Sequence, residues 1–185
     1  AAAIGADPQS VPYEEQTEHF KNQTIRDMVR IMQPLYVKLR NYARRTEYGC
    51  HSLQNLGETG GVYTYALRAI HKRNHTLIQK NITSTLWKSG CHEEDNAANF
   101  TNPETSKKVT VKLITKDANN TCFILVRETP ENNRSCDLLM TKDTILNRIP
   151  RFCGKIYLQE CKGYSVELWK RNCSFWSHSE DMPSC

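Results

Sequence analysis

The chain has 185 residues and a mass of 21.4 kDa, the size of one ordinary domain, with 25 Lys+Arg against 20 Asp+Glu and a formal charge of +5. The two signs are mixed along the sequence, which argues for solubility and against a nucleic-acid partner. Hydrophobic residues make up 38%, and no apolar run approaches the roughly 18 residues a membrane-spanning helix needs, so no such span is expected.

Ala1 to Ala6 is small-residued, without a basic stretch or an apolar h-region, and reads as the start of a processed chain. Residues 1–17 are expected to form a flexible leader and 18–185 a single domain. Phe20, Ile25, Met28, Val29 and Met32 recur at roughly helical steps and Pro34 ends the run, predicting one amphipathic N-terminal helix. The texture then changes to short stretches rich in Val, Ile, Leu, Tyr and Thr. Strands are predicted near 35–43, 49–56, 61–71, 75–87, 107–116, 121–128 and 135–141. Turn chemistry separates them: Gly57 with Gly60 and Gly61, Lys72 to Asn74, Asp117 to Asn120, and Pro130 to Asn133.

One further short strand falls around Asn99 to Thr101. After Pro150, the residues Phe152, Ile156, Tyr157 and Cys161 repeat at helical spacing, and a last strand runs from Tyr164 to Trp169. Consecutive strands with hairpin-length connections imply an antiparallel meander. The fold class expected is therefore mainly β, an eight-stranded antiparallel up-and-down barrel with an N-terminal and a C-terminal helix. Closure removes exposed edges, and a barrel of about eight strands is wide enough for one small ligand.

Eight cysteines, Cys50, Cys91, Cys122, Cys136, Cys153, Cys161, Cys173 and Cys185, include no C-x-x-C pair, so four disulfides are expected rather than a zinc or redox site. Seven N-x-S/T triplets stand where composition alone gives about two. Asn22, Asn74, Asn81, Asn99, Asn119 and Asn133 are the glycosylation sites expected; Asn172 is weaker because Cys173 is its middle residue. Disulfides and sequons together indicate an extracellular glycoprotein.

Side-chain parity assigns the faces. Val109, Val111 and Leu113 share one face, with Ile114 falling among the polar set. Cys122 and Cys136 can bridge to the late helix only by pointing out of the barrel, which turns Phe123, Leu125, Arg127, Asp137 and Leu139 inward. Cys122–Cys153 and Cys136–Cys161 follow as the pairs preferred among 105 connectivities, leaving Cys50–Cys173 and Cys91–Cys185. Tyr36, Arg40 and Tyr42 complete the candidate binding residues. Such a lumen suits a small molecule, against the alternative of a solid core, and Asp137 would meet either a ligand cation or an internal arginine.

Y-V-K-L-R-N-Y at 36–42 followed by Cys50, N-T-C-F-I-L-V at 120–126, C-D-L-L-M at 136–140, R-I-P-R-F-C at 148–153 and a closing N-C at 172–173 resemble the salivary lipocalins of ticks. The resemblance implies a calycin barrel secreted in saliva that captures host mediators: histamine or serotonin, eicosanoids, fatty acids or sterol. It also implies, for some members, a protein-binding outer surface that modulates host immune proteins or cells. Amine-binding relatives carry an acid after the cysteine matching Cys122 and an E-L-W or E-L-Y triplet in the next strand. Here those positions read Phe123 and Asp137-Leu138-Leu139, and Leu113 stands where such a site tends to have a carboxylate. A hydrophobic or amphiphilic ligand, uncharged or anionic, is therefore expected, with Arg40 or Arg127 meeting a carboxylate.

Catalysis is not expected. His19, His51, His71, His75, His92 and His178 lie mostly in polar turns, and H-E-E-D at 92–95 lacks the second histidine of a zinc motif. No metal, no cofactor and a monomeric state are expected. The basic clusters at 40–45 and 71–75 read as solvated turns or as a dock for an acidic partner or glycan.

Overall fold

The computed structural model describes residues 10–127 and 134–174. Nine strands run in order: β1 Leu35–Arg40, β2 Tyr48–Thr59, β3 Val62–His71, β4 Leu77–Trp87, β5 Ala97–Thr101, β6 Lys108–Lys116, β7 Cys122–Arg127, β8 Ser135–Thr141 and β9 Val166–Glu167. The first eight form a closed antiparallel barrel in which β2 to β8 pair successively and β1 joins β8 to β2. Near its start β1 pairs with β2, placing Leu35 opposite Leu53. After a register shift between Val37 and Leu39, β9 takes that edge, with Arg40 opposite Val166. No long row of backbone donors on β1 is left open.

Local chemistry explains the boundaries. Gly60 and Gly61 both have positive φ, 59° and 82°, and make the tight turn from β2 to β3. Gly57, expected to end a strand, instead sits at a register shift within β2, which runs on to Thr59. Residues 41–43 leave β1 earlier than expected.

Two cores lie on either side of the wall. The inner one gathers Leu35, Val37, Tyr65, Val111, Leu113, Phe123, Leu125 and Leu139; the outer one gathers Ile124, Val126, Leu138 and Met140 beneath the helix α2, Arg151–Glu160. Ile114 breaks the alternation of β6 because its outward site is covered: it belongs to the outer core with Tyr13 and Ile124. Three of the expected disulfides are present. Cys122–Cys153 and Cys136–Cys161 fasten β7 and β8 to α2, and Cys50–Cys173 fastens β2 to the chain after β9. Cys91 is exposed, and the Cys91–Cys185 pair lies partly outside the described residues.

The N-terminal region is not the single helix expected. It forms 3₁₀ turns at Tyr13–Glu15 and Thr17–Asn22, then a four-residue helix α1, Arg26–Val29. Its apolar residues serve two surfaces: Phe20 stacks on His92 outside the barrel, 3.6 Å between ring centres, whereas Ile25, Met28 and Val29 enter the inner core. A straight helix cannot reach both. Within the segment expected to be a flexible leader, Tyr13, Glu14 and Glu15 are packed. Tyr13 and Glu14 are buried, Glu14 forms a forked ion pair with Arg134 at 3.0 and 2.8 Å, and Glu15 meets Lys112 at 3.0 Å. Residues 1–9 lie outside the description. In α2 the buried stripe is Cys153, Ile156 and Tyr157; Phe152 is 44% exposed and outside it.

Candidate functional site: the barrel lumen and its mouth

α1 closes one end of the lumen. Ile25 is fully buried, its backbone N–H donates to the Asp95 carbonyl at 2.9 Å, and Asn55 Nδ2 donates to the Val29 carbonyl at 2.6 Å. Above this floor the wall is apolar, because alternate residues of the strands point inward. Val111, Leu113, Phe123, Leu125 and Leu139 all belong to the inner core, as parity required. Tyr65 also enters it, and its buried hydroxyl has no hydrogen-bond partner among the described residues.

Polar residues collect at the opposite mouth. Arg40 lies opposite Asp137 across β1 and β8, and Arg127 follows Leu125 on the inward face of β7. The Tyr42 hydroxyl donates to the Asp137 carboxylate, 2.9 Å from either oxygen, and Arg127 Nε stands 3.6 Å from Oδ2. Both guanidinium groups lie against the Tyr42 ring, Arg127 at 5.0 Å and Arg40 at 5.3 Å from its centre, and Arg127 also lies 5.9 Å from the Phe100 ring. Tyr36 is not part of this group: it faces outward, 6.0 Å from the Trp169 ring. A bulge at Lys38, between Val37 and Leu39, accounts for Arg40 returning inward after Tyr36 pointed out.

Burial pushes the Asp137 carboxyl above its ordinary range, while Arg127, Tyr42 and Arg40 pull it back. Burial and the Asp137 charge push the Tyr42 phenol up, so it stays protonated. Burial works against the Arg127 charge, but Tyr42 and Asp137 outweigh it and hold the guanidinium above its ordinary value. His51 is lowered to about 4 by burial, with Arg40 and Lys72 adding to the effect. The mouth thus holds two guanidinium groups against one carboxylate, with Tyr42 and His51 neutral. Arg40 Nε, Arg127 Nε and His51 Nδ1 are buried without hydrogen-bond partners among the described residues.

His51 gives a direct check. Its folded-state value lies below the unfolded value near 6.5, so the unfolded chain takes up more protons between about pH 6.5 and 4. Stability is expected to fall as pH drops through that window. Urea unfolding of His51→Gln across it should give a flatter profile than the parent.

His51 was missed by the reading of the sequence, because Cys50 has a positive φ of 53° within a register shift of β2 between Gly49 and Ser52, and period-two alternation does not carry through such a break. Tyr65, by contrast, was legible from the alternation V-Y-T-Y-A-L. The H-E-E-D run is divided: His92 is buried between the Ser89 carbonyl, 2.8 Å, and Gln23 Oε1, 2.7 Å, whereas Glu93 and Glu94 line an open polar groove of about 620 Å³ beside α1. No group of three potential metal ligands occurs among the described residues. Asn74, Asn81 and Asn119 are exposed, Asn22 and Asn99 are partly buried, and Asn99 Oδ1 accepts from Trp87 and Thr110; Asn133 lies outside the described residues.

A closed eight-stranded barrel with a plugged floor, a charged mouth and a helix bonded to its outer wall defines a ligand-binding lipocalin. The family profile described as tick histamine binding protein matches residues 13–175, and the chain belongs to that family. Japanin from Rhipicephalus appendiculatus bound to cholesterol has a similar structure, with TM-score 0.58, 17% identity and coverage of 76% of this chain and 95% of that one. A serotonin complex of AM182 is similar over 94% and 97% of the two chains, with TM-score 0.55 and 14% identity. Apocrustacyanin C2 shares the fold at TM-score 0.58 and 10% identity, covering 91% of this chain and 89% of that one. No functionally curated protein matches by sequence. No helix among the described residues is long and apolar enough to cross a membrane.

Proposed function

We propose that the chain is a secreted, non-catalytic monomeric carrier of tick saliva that sequesters a small lipid, a fatty acid, lipid mediator or sterol, and so modulates host inflammation or immunity. One observation carries this reading: the apolar inner core ends at a mouth where two arginines face a single carboxylate that already bonds Tyr42 and pairs with Arg127. An amphiphile would have to part the packed side chains of Val111, Leu113, Phe123, Leu125 and Leu139 to seat its tail, leaving its polar end beside Arg40, Tyr42 and Arg127.

The family description names histamine, and one structural neighbour holds serotonin. A cationic amine here would have to displace Arg127 from Asp137 within a group that already carries net positive charge, a desolvation cost with no second carboxylate to offset it. A protein-binding role is favoured by a different observation: Leu158 on α2 and Tyr164 beyond it are 79% and 85% exposed on the outer surface.

Native mass spectrometry of the secreted chain, with calorimetry against oleate, cholesterol, histamine and serotonin, tests the reading. A retained lipid and heats for oleate or cholesterol are the expected result, with Leu125→Trp filling the lumen and weakening both. Tighter binding of either amine, or no lipid retained or bound, overturns it; an empty barrel would leave the outer surface as the functional one.

A further inference from the structure

Positive charge widely separated in sequence is brought together around the mouth. Four segments meet there, 41–47, 71–76, 162–165 and 170–174. The Lys72 backbone N–H donates to the Glu47 carbonyl at 2.8 Å and its Nζ donates to the Thr46 carbonyl at 2.9 Å, laying the β3–β4 hairpin on the β1–β2 loop. Arg44 donates to the Tyr164 carbonyl at 3.3 Å and covers the Tyr164 ring, 5.9 Å from its centre. Asn41 Nδ2 donates to the Lys162 carbonyl at 3.0 Å. The Cys50–Cys173 bond fixes the fourth segment, and the Cys50 N–H donates to the Leu168 carbonyl at 3.0 Å. A Cβ placed on Gly49 would stand 3.6 Å from that carbonyl and 3.7 Å from Lys72 Cε, so the hairpin and the C-terminal segment are neighbours.

Arg44, Arg45, Lys72, Arg73, Lys162, Lys170 and Arg171 lie in these segments, all exposed, against one carboxylate, Glu47. The rim therefore exceeds the net charge of +5 carried by the entire chain. Arg45, Arg73 and Arg171 make no ion pair among the described residues.

We propose that this rim binds a sulfated polysaccharide, a linear polyanion of the glycosaminoglycan class. Guanidinium forks and lysine ammonium groups match sulfate oxygens without any pocket, and a polymer engages several of them at once. The disulfides place the chain in an oxidising, extracellular setting where such polymers occur. A lipid surface fits less well, because the four segments contain no Leu, Ile, Val, Met or Phe to enter a bilayer. A nucleic acid fits less well too: Tyr164 is the exposed aromatic of the rim, and one face of it is taken by Arg44.

The test uses the full secreted chain, both glycosylated and enzymatically deglycosylated because Asn74 adjoins Arg73. The chain is eluted from heparin and from a sulfopropyl exchanger, and its affinity for a heparin oligosaccharide is measured by calorimetry over a range of salt. Elution from heparin at the higher salt is expected. The variant Arg45→Glu/Arg73→Glu/Arg171→Glu should lose at least tenfold in affinity and show a shallower salt slope, with circular dichroism and lumen-ligand binding unchanged. Equal elution from both media, undiminished affinity in the triple variant, or tighter binding to phosphatidylserine vesicles or single-stranded DNA overturns the proposal.

Discussion

Replacing Cys50 and Cys173 together by alanine is expected to lower the stability of the folded chain by about 4–5 kcal/mol, the largest effect of any disulfide described here. The two residues are 123 positions apart, whereas Cys122–Cys153 spans 31 and Cys136–Cys161 spans 25. Longer closed loops remove more freedom from the unfolded chain. The bond also has a local role, since it pins the segment after β9 beside β2 and thereby keeps β9 on the edge of β1. Urea unfolding should show a lower midpoint, and amide exchange at Leu39 and Arg40 should accelerate more than exchange on β7. A loss below about 1 kcal/mol would show that β9 holds without the bond.

Arg127→Met is expected to cost about 3 kcal/mol at neutral pH, chiefly by leaving the Asp137 carboxylate buried without its nearest counter-charge. The pH dependence distinguishes this cause from lost packing. Burial already raises the Asp137 carboxyl above its usual value, so the native state binds its proton more tightly than the unfolded state. Its contribution to stability therefore declines as pH rises through the interval above about 3.8. Removing Arg127 extends that interval upward, so the deficit of the variant should shrink as the solution is acidified from pH 7 to 5. Adding Asp137→Asn should recover much of the loss; a double variant no more stable than Arg127→Met at pH 7 would argue that the arginine acts through its contacts with Tyr42 and Phe100 instead.

How far the sequence can be read depends on whether a residue's partner is local or remote. Strands β3, β4, β6, β7 and β8 were legible within two residues, since their turns and β-rich composition act locally. The lumen wall followed from a single constraint, the outward direction of Cys122 and Cys136, because period-two alternation carries that information along β7 and β8. Parity failed on β1, where the bulge at Lys38 lets Tyr36 face out and Arg40 face in. Nothing local marks that bulge. The N-terminal region misled for a related reason: its apolar spacing is helical, but Phe20 and Ile25 answer to surfaces on opposite sides of the wall. The mouth depends on pairing between β1, β7 and β8, and although Asp137 was expected to meet either a ligand or an arginine, only the assembled barrel selects Arg127 and Tyr42.

Two adjacent staves of the barrel are riveted to one helix, while β3 to β5 carry no covalent attachment among the described residues. If the barrel takes a guest as proposed, one-sided compliance is expected: β7, β8 and α2 should move together, and widening should fall on the opposite flank. Guest exchange should accordingly be sensitive to substitutions along β3 and β4 and indifferent to those on the outer face of α2.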